Sequence, residues 1–147
     1  MKKVIAPIGF PGSGKSTWIK THRAEYPGVR SCVISGDTMR LMFNEGDYSF
    51  SEKDTEVLIR TIIGMVNTLI QYYDVVYIDE YYVTYNRKAR DMLYENLYQS
   101  IIIEFPFVNT PLATCIYRRV RDDREEDTSR WPQVLLEMVK EFEPPNE

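Results

Sequence analysis

Residues Gly9 to Thr17 read Gly-Phe-Pro-Gly-Ser-Gly-Lys-Ser-Thr, directly after the apolar strand candidate Val4-Ile5-Ala6-Pro7-Ile8. This is a complete G-x-x-x-x-G-K-[ST] phosphate loop, and its spacing demands a strand before it and a helix after it. The glycines let successive backbone N–H groups point into one concavity, where they and the helix N-terminus hold phosphates. Gly12, Ser13, Gly14, Lys15, Ser16 and Thr17 are therefore expected to bind a nucleoside triphosphate. Lys15 neutralises the outer phosphates, and Ser16 supplies a hydroxyl for a Mg²⁺ shared with the phosphate oxygens.

The chain has 147 residues, a length that suits one domain spanning 1–147 with a single core. Its apolar runs are broken by charges or tyrosines before they reach membrane-spanning length, and Met1-Lys2-Lys3 leads straight into the first strand. A soluble, cytoplasmic protein without a membrane partner is expected. Cys32 and Cys115 stand apart and form no metal-binding spacing, so free thiols are expected. A net charge of -4 excludes a surface uniformly adapted to duplex DNA, but it leaves room for a local basic groove.

Strand candidates at Lys3 to Ile8, Ser31 to Ser35, Val75 to Ile78 and Ser100 to Phe105 alternate with helical segments. The first helix runs from the phosphate loop to about Arg23, and a short second one covers Thr38 to Asn44. Ser51-Glu52-Lys53-Asp54 reads as a capping box for a helix reaching about Tyr72, with Val57, Ile63, Val66 and Ile70 among its buried residues. Thr84 is expected to cap a helix ending near Tyr98, Thr110 to cap Leu112 to Arg121 with Pro111 in the first helical position, and Pro132 to start the last helix. This alternation predicts an α/β fold, a short parallel sheet flanked by helices with ligands at the carboxyl ends of the strands.

Val75-Val76-Tyr77-Ile78-Asp79-Glu80 is an apolar strand ending in acid, where a carboxylate beside the phosphate loop can hold Mg²⁺ or its waters. Asp79 takes that role, or else serves as a turn residue. Glu80 either orients water, as in a hydrolase, or is simply solvated. Asp37 and Arg40 lie three residues apart after the second strand. Asp37 either accepts the proton of an attacking hydroxyl or caps its helix; Arg40 either holds a phosphate of the acceptor or pairs locally with Asp37. Arg118, Arg119, Arg121, Arg124 and Arg130, interleaved with acids, read as an arginine-bearing lid over about 119–131, or as a solvated helix end. His22 is expected to be a capping or surface residue. Tyr81, Tyr82 and Tyr85, like Tyr48 and Phe50, either stack on a base or pack ordinarily.

These pieces resemble the kinase half of phage polynucleotide kinase and its relatives, a branch of P-loop kinases related to the adenylate kinase group. Ile8 to Trp18 is very similar to that family's phosphate loop, including Pro11 and Trp18, and Asp37-x-x-Arg40 matches its Asp-x-x-Arg positions. The resemblance implies a three-layer P-loop NTPase fold, adenylate-kinase-like with an arginine-bearing lid. It further implies Asp37 as general base on a 5'-hydroxyl, Arg40 on the acceptor's phosphate, and Arg124 as the lid arginine that bridges donor phosphates, with Arg121 as its rival for that place. Asp79 is followed by Glu80-Tyr81 where such kinases have small polar residues, and no phosphatase domain is expected within residues 1–147.

The reading is an ATP- and Mg²⁺-dependent kinase whose acceptor is a hydroxyl of a nucleic acid or nucleotide, foremost a polynucleotide 5'-hydroxyl. Lys15, Asp37 and Arg124 are its catalytic residues, Asp37 and Arg40 bind the acceptor, and Ser16 and Asp79 hold the metal. The alternatives are a phage DNA kinase acting on 5-hydroxymethyluracil, a small-metabolite kinase, and a non-kinase nucleotide switch assisted by Glu80.

Overall fold

The computed structural model describes residues 2–43, 52–98, 100–122 and 127–145. Strand β1 (Lys3–Ile5) leads through the phosphate loop into helix α1 (Lys15–Glu25), followed by β2 (Ser31–Ser35), α2 (Gly36–Phe43), α3 (Glu52–Leu69) and β3 (Val75–Asp79). A 3₁₀ turn, Tyr81–Val83, precedes α4 (Arg87–Asn96), β4 (Ile102–Glu104), α5 (Leu112–Val120) and α6 (Trp131–Glu141). The four strands pair in parallel in the order β2-β3-β1-β4. This is the α/β P-loop fold, and it sets the carboxyl ends of β1, β2 and β3 side by side, the place where such sheets bind ligands.

Strand side chains alternate between the two faces of a sheet. Val4, Ala6, Ile34, Val76 and Ile78 are buried on one face, against Met39 of α2, Leu58, Ile62 and Val66 of α3 and Leu93 of α4. Ile5 and Tyr77 are buried on the opposite face with Ile19 of α1. A further cluster of Cys115, Trp131, Leu135 and Met138 joins α5 to α6 and includes Tyr81. Among the described residues, no helix is long and apolar enough to cross a membrane.

Several local expectations are corrected by tertiary contacts. The ladder of β1 ends at Ile5, with Ile8 adding an isolated bridge to Phe107, and β4 is confined to three residues. Val57 is 45% exposed because the buried stripe of α3 runs Leu58, Ile62, Val66, leaving Ile63 half-buried at its edge and Ile70 buried beyond it. Thr84 does not cap α4. It is fully buried and donates from Oγ1 to the Pro7 carbonyl at 3.3 Å, because the 3₁₀ turn carries it to the end of β1. Asn86 caps α4 instead, its Oδ1 accepting from Ala89 N at 2.8 Å. Thr110 is likewise no cap: its hydroxyl donates to Ser13 O at 2.6 Å, with Pro111 in the N-cap position of α5. Ser51 and Asn44 lie outside the described residues.

Candidate active site

Two glycines in the left-handed region, Gly12 at φ 83° and Gly14 at φ 101°, shape the loop between β1 and α1. Such backbone is strained for any residue with a Cβ. A Cβ on Gly12 would also stand 2.6 Å from the carbonyl oxygen of Cys115, so the loop seats on α5 only with glycine there. Gly14 is the N-cap of α1 and offers no side-chain cap bond, which leaves the first N–H groups of the helix facing the loop as an anion site. The buried Ser13 hydroxyl, packed against Gly9, has no hydrogen-bond partner among the described residues. Gly12→Ala is expected to cost about 1–3 kcal/mol in urea unfolding and to weaken MgATP binding by roughly tenfold or more in titration, an effect worth about 1.4 kcal/mol.

Lys15 is buried and donates from Nζ to the carbonyls of Gly9 at 2.6 Å and Phe10 at 3.2 Å. Burial pulls its ammonium below the ordinary lysine range, opposed by the carboxylates of Asp79, Glu80 and Asp37. Asp79 and Asp37, from the ends of β3 and β2, line the same cleft as this cation. Ser16 Oγ donates to Asp79 Oδ2, pairing a hydroxyl of α1 with a carboxylate of β3. Hard oxygen donors of this kind, one or two per site with phosphate completing the shell, fit Mg²⁺.

Asp37 lies in the first turn of α2, which begins at Gly36, two residues earlier than expected. The capping bond there comes from Ser35, whose Oγ accepts from Thr38 N at 3.3 Å. Asp37 itself lines the cleft over the phosphate loop. Arg40 does not. Its side chain is 1% exposed and turned toward β3, where Nε and Nη2 reach the two carboxylate oxygens of Glu80 at 3.4 Å each. Glu80 is therefore no solvated glutamate: it is 5% exposed, and burial pushes its carboxyl above the ordinary range, opposed by the Arg40 guanidinium.

The cleft holds about 590 Å³ and brings Gly12, Ser13, Gly14, Lys15, Ser16, Thr17, Asp37 and Asp79 together. Arg118 and Arg119 line it as well. Arg118 Nη1 donates to Gly12 O at 3.2 Å; Arg119 is buried, with Nη1 3.2 Å from Asp122 Oδ2 and its guanidinium 4.1 Å above the Trp131 ring. Arg121, expected at the donor phosphates, is exposed and lies over Tyr117 at 4.6 Å. Residues 115, 118, 119 and 122 form one stripe of α5 and its end, toward the loop, and 117 and 121 form another, so the helical spacing turns Arg118 and Arg119 toward the loop and Arg121 toward Tyr117. Arg124 lies outside the described residues, as do Tyr48 and Phe50.

The remaining candidates pack. His22 stacks on Trp18 at 4.8 Å, with Nδ1 2.7 Å from the Tyr77 hydroxyl. Tyr81 is buried and donates to the Met138 carbonyl at 3.2 Å; its neighbour Tyr82 lines the cleft and lies 5.6 Å from the Arg40 guanidinium. Cys32 and Cys115 are free thiols.

A phosphate loop between β1 and α1 and an acid at the end of β3 define the class of P-loop NTPase folds. The chain belongs to the AAA_33 family, described as an AAA domain, which it matches over residues 4–145. Its fold is similar to a chain of the Pnkp1/Rnl/Hen1 RNA repair complex, with a TM-score of 0.67 and 22% identity over 97% of this chain and 46% of that one. It is also similar to the APS kinase CysC of Mycobacterium tuberculosis in complex with AMPPNP and APS, with a TM-score of 0.68, 19% identity, and coverage of 99% and 84%. Shikimate kinase from Acinetobacter baumannii gives a TM-score of 0.58 and 22% identity over 95% and 75% of the two chains. The chain thus spans a little under half the length of its match in the RNA repair complex.

Proposed function

We propose that this protein transfers the γ-phosphate of ATP to a hydroxyl of a nucleic acid or nucleotide, most specifically a polynucleotide 5'-hydroxyl. The observation that carries the reading is the convergence of Asp37, Asp79 and Lys15 on one cleft at the phosphate loop. The Asp37 carboxylate accepts the acceptor's hydroxyl proton as the new P–O bond forms, and the bond from the γ-phosphorus to the bridging oxygen breaks as ADP leaves. Loop N–H groups and Lys15 bind the phosphates, and Arg118 and Arg119 stand where they can meet the migrating charge. Ser16 and Asp79 would hold Mg²⁺, which supplies charge neutralisation when bound. The Gly9 to Trp18 loop, the place of Asp37 after β2 and the neighbour from an RNA repair complex support the nucleic-acid acceptor.

One observation favours a second reading, a small hydroxylated metabolite as acceptor. The Arg40 charge is already matched by Glu80, so it is not presented to an acceptor phosphate. Labelled ATP offered with 5'-hydroxyl oligonucleotides, hydroxymethyluracil DNA, nucleosides and small alcohols separates the two. Label on oligonucleotide 5' ends, with efficiency falling steeply as salt is added, is the expected result. Label confined to a small alcohol or to hydroxymethyluracil overturns the acceptor.

The metal site gives its own test. Ser16→Ala is expected to raise the Mg²⁺ concentration for half-maximal turnover by roughly tenfold. An unchanged Mg²⁺ dependence would remove Ser16 from the metal's ligands.

A further inference from the structure

Asp79 and Glu80 are adjacent, yet they serve opposite faces of the sheet. Val76 and Ile78 point toward α2, α3 and α4, whereas Tyr77 points toward α1. The backbone of Glu80 is still extended, at φ -157° and ψ 125°, so the alternation continues through the pair. Asp79 accordingly takes the Ser16 hydroxyl at the phosphate loop. Glu80 takes α2. Its carboxylate spans Arg40 at 3.4 Å through both oxygens and accepts from Tyr82 N at 2.8 Å. It also abuts the start of α2 so closely that a Cβ on Gly36 would stand 2.1 Å from Oε1. Gly36 is the residue before Asp37, and Arg40 is one turn after it. Arg40 Nη1 lies 3.5 Å from Thr55 Oγ1, which extends the same contact to α3.

We propose that Glu80 is a positioning residue: it acts through Arg40 and Gly36 to hold Asp37 opposite the phosphate loop, with Arg40 a buried strut and not a ligand of an acceptor phosphate. The inference rests on the kinase reading above and deepens it. One peptide bond, between Asp79 and Glu80, thereby registers the donor side of the site against the acceptor side. The two-point fork of a guanidinium on a carboxylate fixes direction as well as distance. Removing one member withdraws both points of the fork at once, so the pair holds a single arrangement of α2 against β3. A displacement of Asp37 by about 1 Å is enough to cost roughly 10²-fold in rate, because transfer requires near-attack geometry.

The test compares Glu80→Gln, Arg40→Met and the double variant on whichever acceptor the wild type uses, with MgATP affinity read from tryptophan fluorescence. Glu80→Asp is included because it keeps the charge while withdrawing the fork. Each single variant is expected to lower kcat by roughly tenfold or more, with MgATP affinity and acceptor KM held within about twofold. The double variant loses less than the product of the two single losses, since both changes break the same fork. Amide hydrogen exchange at residues 36–40 rises in the single variants while that at 12–17 is unchanged, and this readout does not depend on the acceptor. Wild-type kcat in Glu80→Gln, or an Arg40→Met defect confined to the KM of phosphate-bearing acceptors, overturns the proposal. Transfer by the wild type to no acceptor contradicts the kinase reading instead, and unchanged exchange at 36–40 would then still overturn the role of Glu80.

Discussion

Lys15→Ala is expected to lower turnover by roughly 10²- to 10³-fold, the scale of losing one preorganised donor to a transferring group. The buried ammonium sits within the field of Asp79, Glu80 and Asp37, so its removal takes away a cation that offsets the acids lining the phosphate site. Incoming triphosphate, itself anionic, then meets a repulsive cleft in place of a balanced one. Weakened MgATP binding should accompany the loss of rate, while circular dichroism stays that of the folded protein, because among the described residues Nζ bonds only to the loop carbonyls of Gly9 and Phe10. MgATP affinity and turnover equal to wild type would mean that the loop does not work as a phosphate cradle.

Asp37→Asn is expected to reduce phosphoryl transfer by roughly 10² or more, the scale of a lost general base. The amide is nearly isosteric and α2 keeps the capping bond that Ser35 makes. MgATP affinity should therefore stay close to wild type, separating this variant from Lys15→Ala in a titration. Turnover on the true acceptor unchanged by the substitution would reduce Asp37 to a structural residue of the first helical turn.

The phosphate loop and the strands were legible because their signals are local. Glycines with φ above zero, a lysine and a serine at fixed spacing, and short apolar runs each carry their own geometry. Thr84 and Thr110 were misread because a threonine before a helix looks like a cap, whereas their partners, Pro7 O and Ser13 O, lie far away in sequence. Arg40 posed the same problem. Its spacing from Asp37 suggested a local pair facing the cleft, and its partner is 40 residues away. Strand parity did carry that information: with Val76 and Ile78 on one face, Glu80 must share it, and the helix after β2 lies on it. Arg118 and Arg119 were similarly available from the spacing of Cys115 with Asp122 along α5, but five arginines in a row of charges obscured the stripe.

The central claim is tested most directly by following the γ-phosphate of ATP in a single turnover with the wild-type protein in excess. With a 5'-hydroxyl oligonucleotide present, label is predicted to leave ATP faster than in its absence and to appear as one phosphomonoester on the acceptor for each ADP formed. Label released only as inorganic phosphate, at a rate the acceptor does not change, would contradict a kinase built around Asp37 and the phosphate loop.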